Sequence, residues 1–242
     1  MIKKLYFSEI DSTNEYAVKN LNHLEDRTVI SAGIQTKGRG RGGRSWYSRE
    51  GNLFASLVLK PQADFCEICR LNAIVHYTAV ILARVFKKKY GLDTNIKWPN
   101  DLLAEGKKIA GILIETVIKG ECLQGIIIGV GVNLNMSKED FKMINQPATS
   151  LNLLSGIEIN RDIFLDFFLE EFFLQYDEFL KKGFSLIKND YKMLNMVLGK
   201  EVKVISSGRE HCGIVKDIDD YGQLVLDCYN KEETINAGEI IC

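Results

Sequence analysis

Residues 36 to 48 read TKGRGRGGRSWYS: four glycines and three arginines fill positions 38 to 44, and Trp46 follows. Glycines let backbone amides come close to a ligand. The guanidinium forks of Arg39, Arg41 and Arg44 match the oxygens of a carboxylate or a phosphate. The Trp46 indole offers a flat face for stacking a base. The same composition also fits a solvated loop or an RGG-type RNA-binding segment, so the loop alone leaves these alternatives open.

Three further stretches carry candidate chemistry. In IKWPNDLL (96–103) Lys97 ends an extended segment and Pro99 stiffens the turn that aims Lys97 and Asp101. A lysine ammonium is a compact charge suited to an α-phosphate or a reacting carboxylate. Asp101 has the chemistry to hold Mg²⁺ beside phosphates, although Pro-Asn-Asp is also a common plain turn. In GKKIAGILIE (106–115) Lys108 begins a buried strand, and in GVGVNLN (129–135) glycines at alternate positions precede Asn133. Glycines in a strand suggest a ligand lying against the sheet.

The bulk numbers narrow the class. The chain has 242 residues, 46% hydrophobic and 26% charged, with formal net charge -1. That is enough for a sizeable core, and the overall field favours neither nucleic acid nor an anionic membrane. The N-terminal IKKLYFSEIDSTNE has no signal-peptide character, and no apolar run is long enough to span a membrane. The expected compartment is therefore the cytoplasm. Six cysteines at irregular spacing fit a reduced state. Cys66 and Cys69 form a CxxC without a second ligand pair, which reads as ordinary thiols opening a helix. His23, His76 and His211 fall in none of the motifs.

These residues need elements to hold them. Strands are expected at 3–8, 28–34 and 52–60, the last closed by Pro61, with a short extended piece at 94–98. DSTNEYAVKNL starts a helix with Ser12 and Glu15 in capping-box spacing. A long amphipathic helix spans 65–89. KIAGILIETVIKG and ECLQGIIIGVGVNLN form a hairpin about Gly120. Residues 161–181 are a helix, which FSLIKNDYKML continues. After residue 197 five short strands separated by turns suggest a small barrel of SH3-like size.

Taken in order, DSTN, QTKGRGRGGRSW, KWPNDL, KIAGILIE and GVGVNLN closely resemble the biotin–protein ligases over about residues 5 to 135, and IDDYGQL and GEI resemble that family's C-terminal domain. The resemblance implies an α+β fold. A mixed β-sheet catalytic domain of the class II aminoacyl-tRNA synthetase/biotin ligase type (1–197) precedes an SH3-like β-barrel (198–242). With about ten residues ahead of DSTN, the chain looks like the short form, without a DNA-binding domain.

The resemblance also implies roles. Biotin is activated by ATP and Mg²⁺ to biotinyl-5′-AMP with release of pyrophosphate. The acyl group then passes to a lysine of a biotin carboxyl carrier protein, that of acetyl-CoA carboxylase or a similar carboxylase. Lys97, Arg39 and Arg41 would be catalytic. Ser12, Thr13, Asn14, Gln35, Arg39, Gly40, Arg41, Lys97 and Gly111 would contact biotin. Arg44, Trp46, Asn100, Asp101, Lys108, Asn133 and Lys216 would contact ATP, with Mg²⁺ near Asp101. A homodimer is expected, with no DNA or membrane partner. Gly42 stands where some members have a basic residue, and Lys216 where some have arginine, which keeps the charge but loses the fork. The Gly/Arg loop is expected to open for biotin and to close over a water-sensitive anhydride. The rivals are a lipoate–protein ligase with the same fold and adenylate chemistry, an RNA-binding module, and an inactive interaction protein that keeps the fold.

Overall fold

The computed structural model describes residues 2–60, 68–120, 122–229 and 231–241, without the side chains of 68–72. Cys66, the Cys69 side chain and Pro61 lie outside this description. Seven strands are β1 (Lys3–Ile10), β2 (Thr28–Gln35), β3 (Leu53–Leu59), β4 (Asn95–Lys97), β5 (Asp101–Ala104), β6 (Lys107–Lys119) and β7 (Cys122–Val132). They form one sheet in the order β1-β2-β3-β7-β6-β5-β4. β1 runs parallel to β2, and the other neighbours are antiparallel, so the sheet is mixed as expected.

Strand alternation divides the apolar side chains between two faces. On one face Ile30, Val58 and Ile127 pack with Ala17, Leu21 and Leu24 of the crossover after β1. That crossover begins with helix α1 (Thr13–Lys19), whose N-cap Ser12 accepts a hydrogen bond from the Glu15 amide. On the other face Val29, Leu57, Ile126 and Ile128 join helix α2 (Ile68–Tyr90) in the main core. A short helix α3 (Leu151–Ser155) follows the sheet. The helix expected at 161–181 is broken at Gln175 (φ -123°) into α4 (Arg161–Leu174) and α5 (Tyr176–Lys182), and α6 (Lys188–Leu194) comes after. No described helix is long and apolar enough to cross a membrane.

The C-terminal strands are β8 (Glu201–Ser206), β9 (Arg209–Ile218), β10 (Leu224–Asp227), β11 (Glu232–Ile235) and β12 (Glu239–Ile241). Their order is β11-β10-β9-β8-β12. The five short strands are as expected; among the described residues β11 and β12 are the two edges and no pairing joins them, so the barrel is not a closed one. Val204, Val215, Leu224 and Leu226 belong to the same continuous cluster as α2 and the main sheet. One seam is polar. Trp98 of the KWPND turn is buried and donates Nε1–H to the Gly222 carbonyl at 3.1 Å.

His76 of α2 sits at this seam, buried between Phe184 and Tyr191. Burial pushes its pKa down from the ordinary 6.5 to about 3. The unfolded chain therefore takes up a proton on this ring that the folded chain refuses. Stability is lost as pH falls below about 6.5 and the loss continues toward 3. His76 is expected to account for ~2 kcal/mol of the loss between pH 7 and pH 5. Urea denaturation of the wild type and of His76→Phe at both pH values measures this. An equal decline in both proteins would contradict it.

Candidate active site

Register sets the floor of the site. Residues paired across neighbouring strands point to the same side. Phe54, Gly131, Gly111 and Asp101 form one row across β3, β7, β6 and β5. Ser56, Gly129 and Leu113 form the next row, and Val58, Ile127 and Glu115 the one after. Ile127 and Val58 pack with the α1 crossover, so all three rows face that side. The alternate glycines of GVGVNLN thus lie on one face, where two side chains occupy the space they leave. A Cβ at Gly129 would sit inside contact distance of the Asn14 amide, and one at Gly131 would come within 2.6 Å of the Trp46 indole. The bareness of the strand is a steric requirement of the site.

A hydrogen-bonded chain of neutral groups runs over this floor and ends on a carboxylate. Gln35 Oε1 accepts from the Thr13 amide at 2.9 Å and from its hydroxyl at 3.1 Å. Ser56 Oγ lies 2.8 Å from Thr13 Oγ1 and 2.5 Å from Asn14 Oδ1. Asn14 Nδ2 donates to Glu115 Oε2 at 2.9 Å. Ser12, Thr13 and Asn14 are all buried.

The Gly/Arg loop covers the floor. It folds back on itself through an Arg39–Ser45 bridge and the bonds Gly40 N–H to Arg44 O and Trp46 N–H to Gly38 O. Gly42 and Gly43 have φ of +62° and +75°, a left-handed turn that disfavours larger residues. Trp46 is thereby laid on Gly111 and Gly131. Two cavities flank its ring, and both Trp46 and Lys108 line each of them. The inner one, over the polar floor, encloses about 80 Å³. The outer one, bounded by Lys37, Asn133, Met143, Ile144 and Gln146, encloses about 710 Å³. Small-molecule sites typically measure about 300–1,000 Å³, so the inner cavity is small for such a ligand with Trp46 in this position.

Four cations surround the inner cavity, and each already has oxygen partners. Arg39 Nη1 lies 3.0 Å from Glu115 Oε1. Arg41 donates to Asn100 Oδ1 at 2.9 Å and to Gly238 O at 3.2 Å. Arg44 pairs with Glu239 of β12. Lys108 Nζ lies 2.8 Å from Asp101 Oδ1. Burial lowers the Arg41 pKa below its usual value, with Asp101 opposing that shift; the guanidinium stays charged.

A model of the biotin/lipoate A/B protein ligase family matches residues 6–133, and a model of the biotin protein ligase C-terminal domain matches 197–242. The chain belongs to the biotin/lipoate A/B protein ligase family. The biotin--[acetyl-CoA-carboxylase] ligase of Paracoccus denitrificans is 33% identical, covering 95% of this chain and 96% of that protein. The bifunctional ligase/repressor BirA of Bacillus spizizenii is 31% identical over 99% of this chain and 74% of its own length. The biotin protein ligase of Aquifex aeolicus in complex with biotin and ATP superposes with a TM-score of 0.84 at 26% identity, covering 100% of this chain and 98% of that one.

In this ligase-family chain most residues singled out by motif converge. Ser12, Thr13, Asn14, Gln35, Arg39, Gly40, Arg41, Arg44, Trp46, Asn100, Lys108 and Gly111 line the inner cavity, and Asn133 lines the outer one. Three line neither cavity: Asp101, which touches the site through Lys108, and Lys97 and Lys216. Lys97 ends the edge strand β4 and lines neither cavity. Its pairing places it outside Asp101 and Gly111 in the first row, three strand spacings or about 14 Å from Gly131. Lys216 is on the exposed side of β9, paired with Glu232 at 2.7 Å, and also lines neither cavity.

The lysine at the cavity is Lys108, and a β-bulge puts it there. The β5–β6 register shifts between Leu102 and Leu103, so Ile109 is an extra residue on β6. Ile109 and Ala110 both belong to the core on the α2 side, and the shift turns Lys108 toward the site. Glu115, Ser56, Gly238 and Glu239 are site contacts to which motif reading gave no role, although GILIE and GEI contain three of them.

Gly131→Ala is expected to displace the Trp46 ring, since its Cβ would come within 2.6 Å of the indole. The chain has two tryptophans, and Trp98 is buried elsewhere, so intrinsic fluorescence reports the change against a Trp46→Phe reference. An unchanged emission spectrum would contradict the packing described.

Proposed function

We propose that the chain is an ATP-dependent biotin–protein ligase acting on the biotin carboxyl carrier protein of a carboxylase such as acetyl-CoA carboxylase. The observation that carries this reading is the inner cavity: a neutral hydrogen-bonding floor beneath a Gly/Arg loop, with Arg39, Arg41, Arg44 and Lys108 gathered at its mouth. A ureido ring needs both donors and acceptors. The Thr13, Asn14, Gln35 and Ser56 groups offer them, and Phe54 and Leu113 give apolar contact to a valeryl chain. The outer cavity suits the nucleotide, with Trp46 and Asn133 at its wall and Lys108 between the two ligands.

In the first step a carboxylate oxygen of biotin attacks the α-phosphorus of ATP. The bond to the β,γ-diphosphate breaks, and pyrophosphate leaves with its electron pair. Both reactants are anions, so charge is the main obstacle. Arg41 and Lys108 neutralise the carboxylate and the α-phosphate and hold them in line. Arg39 and Arg44 keep the loop down over the product anhydride and exclude water. In the second step the amine of a carrier lysine attacks the acyl carbon, AMP departs, and the amine loses a proton.

Mg²⁺ enters with ATP as the substrate complex. Among the described residues no group of three or more His, Cys, Asp or Glu side chains could hold a metal, and Asp101, the carboxylate expected to hold it, faces Lys108. The donors are thus too few for a protein cage, which suits an ion carried mainly by phosphates. Within this reading residues 1–197 bind and activate biotin. Residues 198–242 brace the loop through Gly238 and Glu239.

Incubation with MgATP and either biotin or lipoate, read by mass spectrometry for the acyl-adenylate, tests the proposal. Biotinyl-AMP is expected. Lys108→Ala is expected to slow its formation by roughly 10²-fold or more, and Lys97→Ala by only a few-fold. Lipoyl-AMP alone would reassign the acid, and no adenylate from either acid would overturn the reading. Equal losses in the two lysine variants would return Lys97 to the site.

A further inference from the structure

We propose that Glu115 is a positioning residue that makes the biotin floor and the Gly/Arg loop a single unit. The inference rests on the ligase reading and adds to it a residue that does not touch the ligand. Glu115 stands on the cavity face of β6, paired with Ile127 and one row beyond the Leu113–Gly129 pair. It does not line the inner cavity. Its two carboxylate oxygens serve two different pieces of structure. Oε2 accepts from the floor amide Asn14 Nδ2 at 2.9 Å, and Oε1 lies 3.0 Å from Nη1 of the loop residue Arg39.

The chemistry requires a carboxylate at this position. An ionised carboxylate only accepts, so the Asn14 amide must turn its NH₂ toward Glu115. The Leu113 carbonyl lies 3.3 Å from the same Nδ2 and takes a second donor hydrogen. The Asn14 carbonyl is then left facing Ser56 Oγ and the cavity. An amide in place of Glu115 could donate as well as accept, and the orientation of Asn14 would lose its determinant. The other oxygen ties the same amide to the loop, because Arg39 reaches Glu115 only when the loop lies over the sheet. The Glu115 side chain is 22% exposed and that of Arg39 49%. Such a pair contributes little to stability. Its consequence is geometric: closing the loop and orienting the floor amide become one event.

The opposite role is also conceivable for such a carboxylate. Glu115 could hold Arg39 merely in place of the ligand's own carboxylate, and its removal would then tighten biotin binding. The two roles predict opposite signs, which makes the test decisive.

The experiment uses the full chain and ATP–pyrophosphate exchange, with biotin and ATP varied separately, for wild type, Glu115→Gln, Glu115→Asp, Arg39→Gln and the Glu115→Gln/Arg39→Gln pair. Glu115→Gln is expected to raise the KM for biotin about tenfold and to leave the KM for ATP within about twofold. Glu115→Asp keeps the charge and is expected to fall between. In the Arg39→Gln background the Glu115→Gln change should add less than about threefold. An unchanged or lowered biotin KM, an equal rise in both KM values, or full additivity would overturn the proposal. If Glu115→Gln does not fold, Glu115→Asp carries the comparison: a biotin KM above that of wild type at unchanged ATP KM is expected, and an unchanged one overturns it. Absence of exchange in the wild type would instead overturn the ligase reading. The positioning role is then read from ligand-free melting temperatures across the same cycle, where non-additive shifts support it and additive shifts overturn it.

Discussion

Like charges brought to one place repel, and this site is built around that constraint. Two cations about 6 Å apart at an effective dielectric of about 20 repel by roughly 3 kcal/mol. Arg39, Arg41, Arg44 and Lys108 all line one small cavity, in a chain whose net charge is only -1. Each is held by oxygens from a different part of the fold: Glu115 on β6, Asn100 of the KWPND turn, Glu239 on β12 and Asp101 on β5. An anionic ligand that enters therefore exchanges one set of oxygen partners for another. The C-terminal sheet belongs to this arrangement, since Gly238 and Glu239 are among the partners.

The sheet supplies the surface against which the exchange takes place. Two adjacent rows across β3, β7 and β6 carry glycines where Asn14 and Trp46 must lie close. Branched side chains fill the same face further along, where only the α1 crossover has to pack. Floor and core thus come from one register, and a slip by one residue would exchange them.

Much of this was legible in the sequence because the motifs are short and local. The loop, the alternate glycines and the Ser-Thr-Asn helix start are each set within a few residues, and they converge as expected. The features that were misplaced depend on pairing between distant strands. Lys97 is expected at the site from the KWPND turn and from the resemblance, yet β4 is an edge strand and its register places Lys97 beyond Asp101. Lys108 reaches the cavity through a bulge, and no local signal in KKIAGIL announces an extra residue. Glu115 reads as one polar residue in an apolar strand until Asn14 and Arg39 are brought to it from far away in the chain. Five short strands with turns look alike whether or not the last pair closes, and here the edges β11 and β12 are left unpaired.

The account depends on a loop that moves. With Trp46 laid on Gly111 and Gly131 the inner cavity encloses about 80 Å³, well below the volume of an ordinary ligand site. The account therefore expects the loop to open before binding and to close afterwards, keeping water from the anhydride. Amide hydrogen exchange over residues 37–48 tests this most directly, measured alone, with biotin, and with biotin plus MgATP. The account expects fast exchange in the free protein that slows markedly once both ligands are present. Exchange that remains equally fast in all three conditions would contradict it.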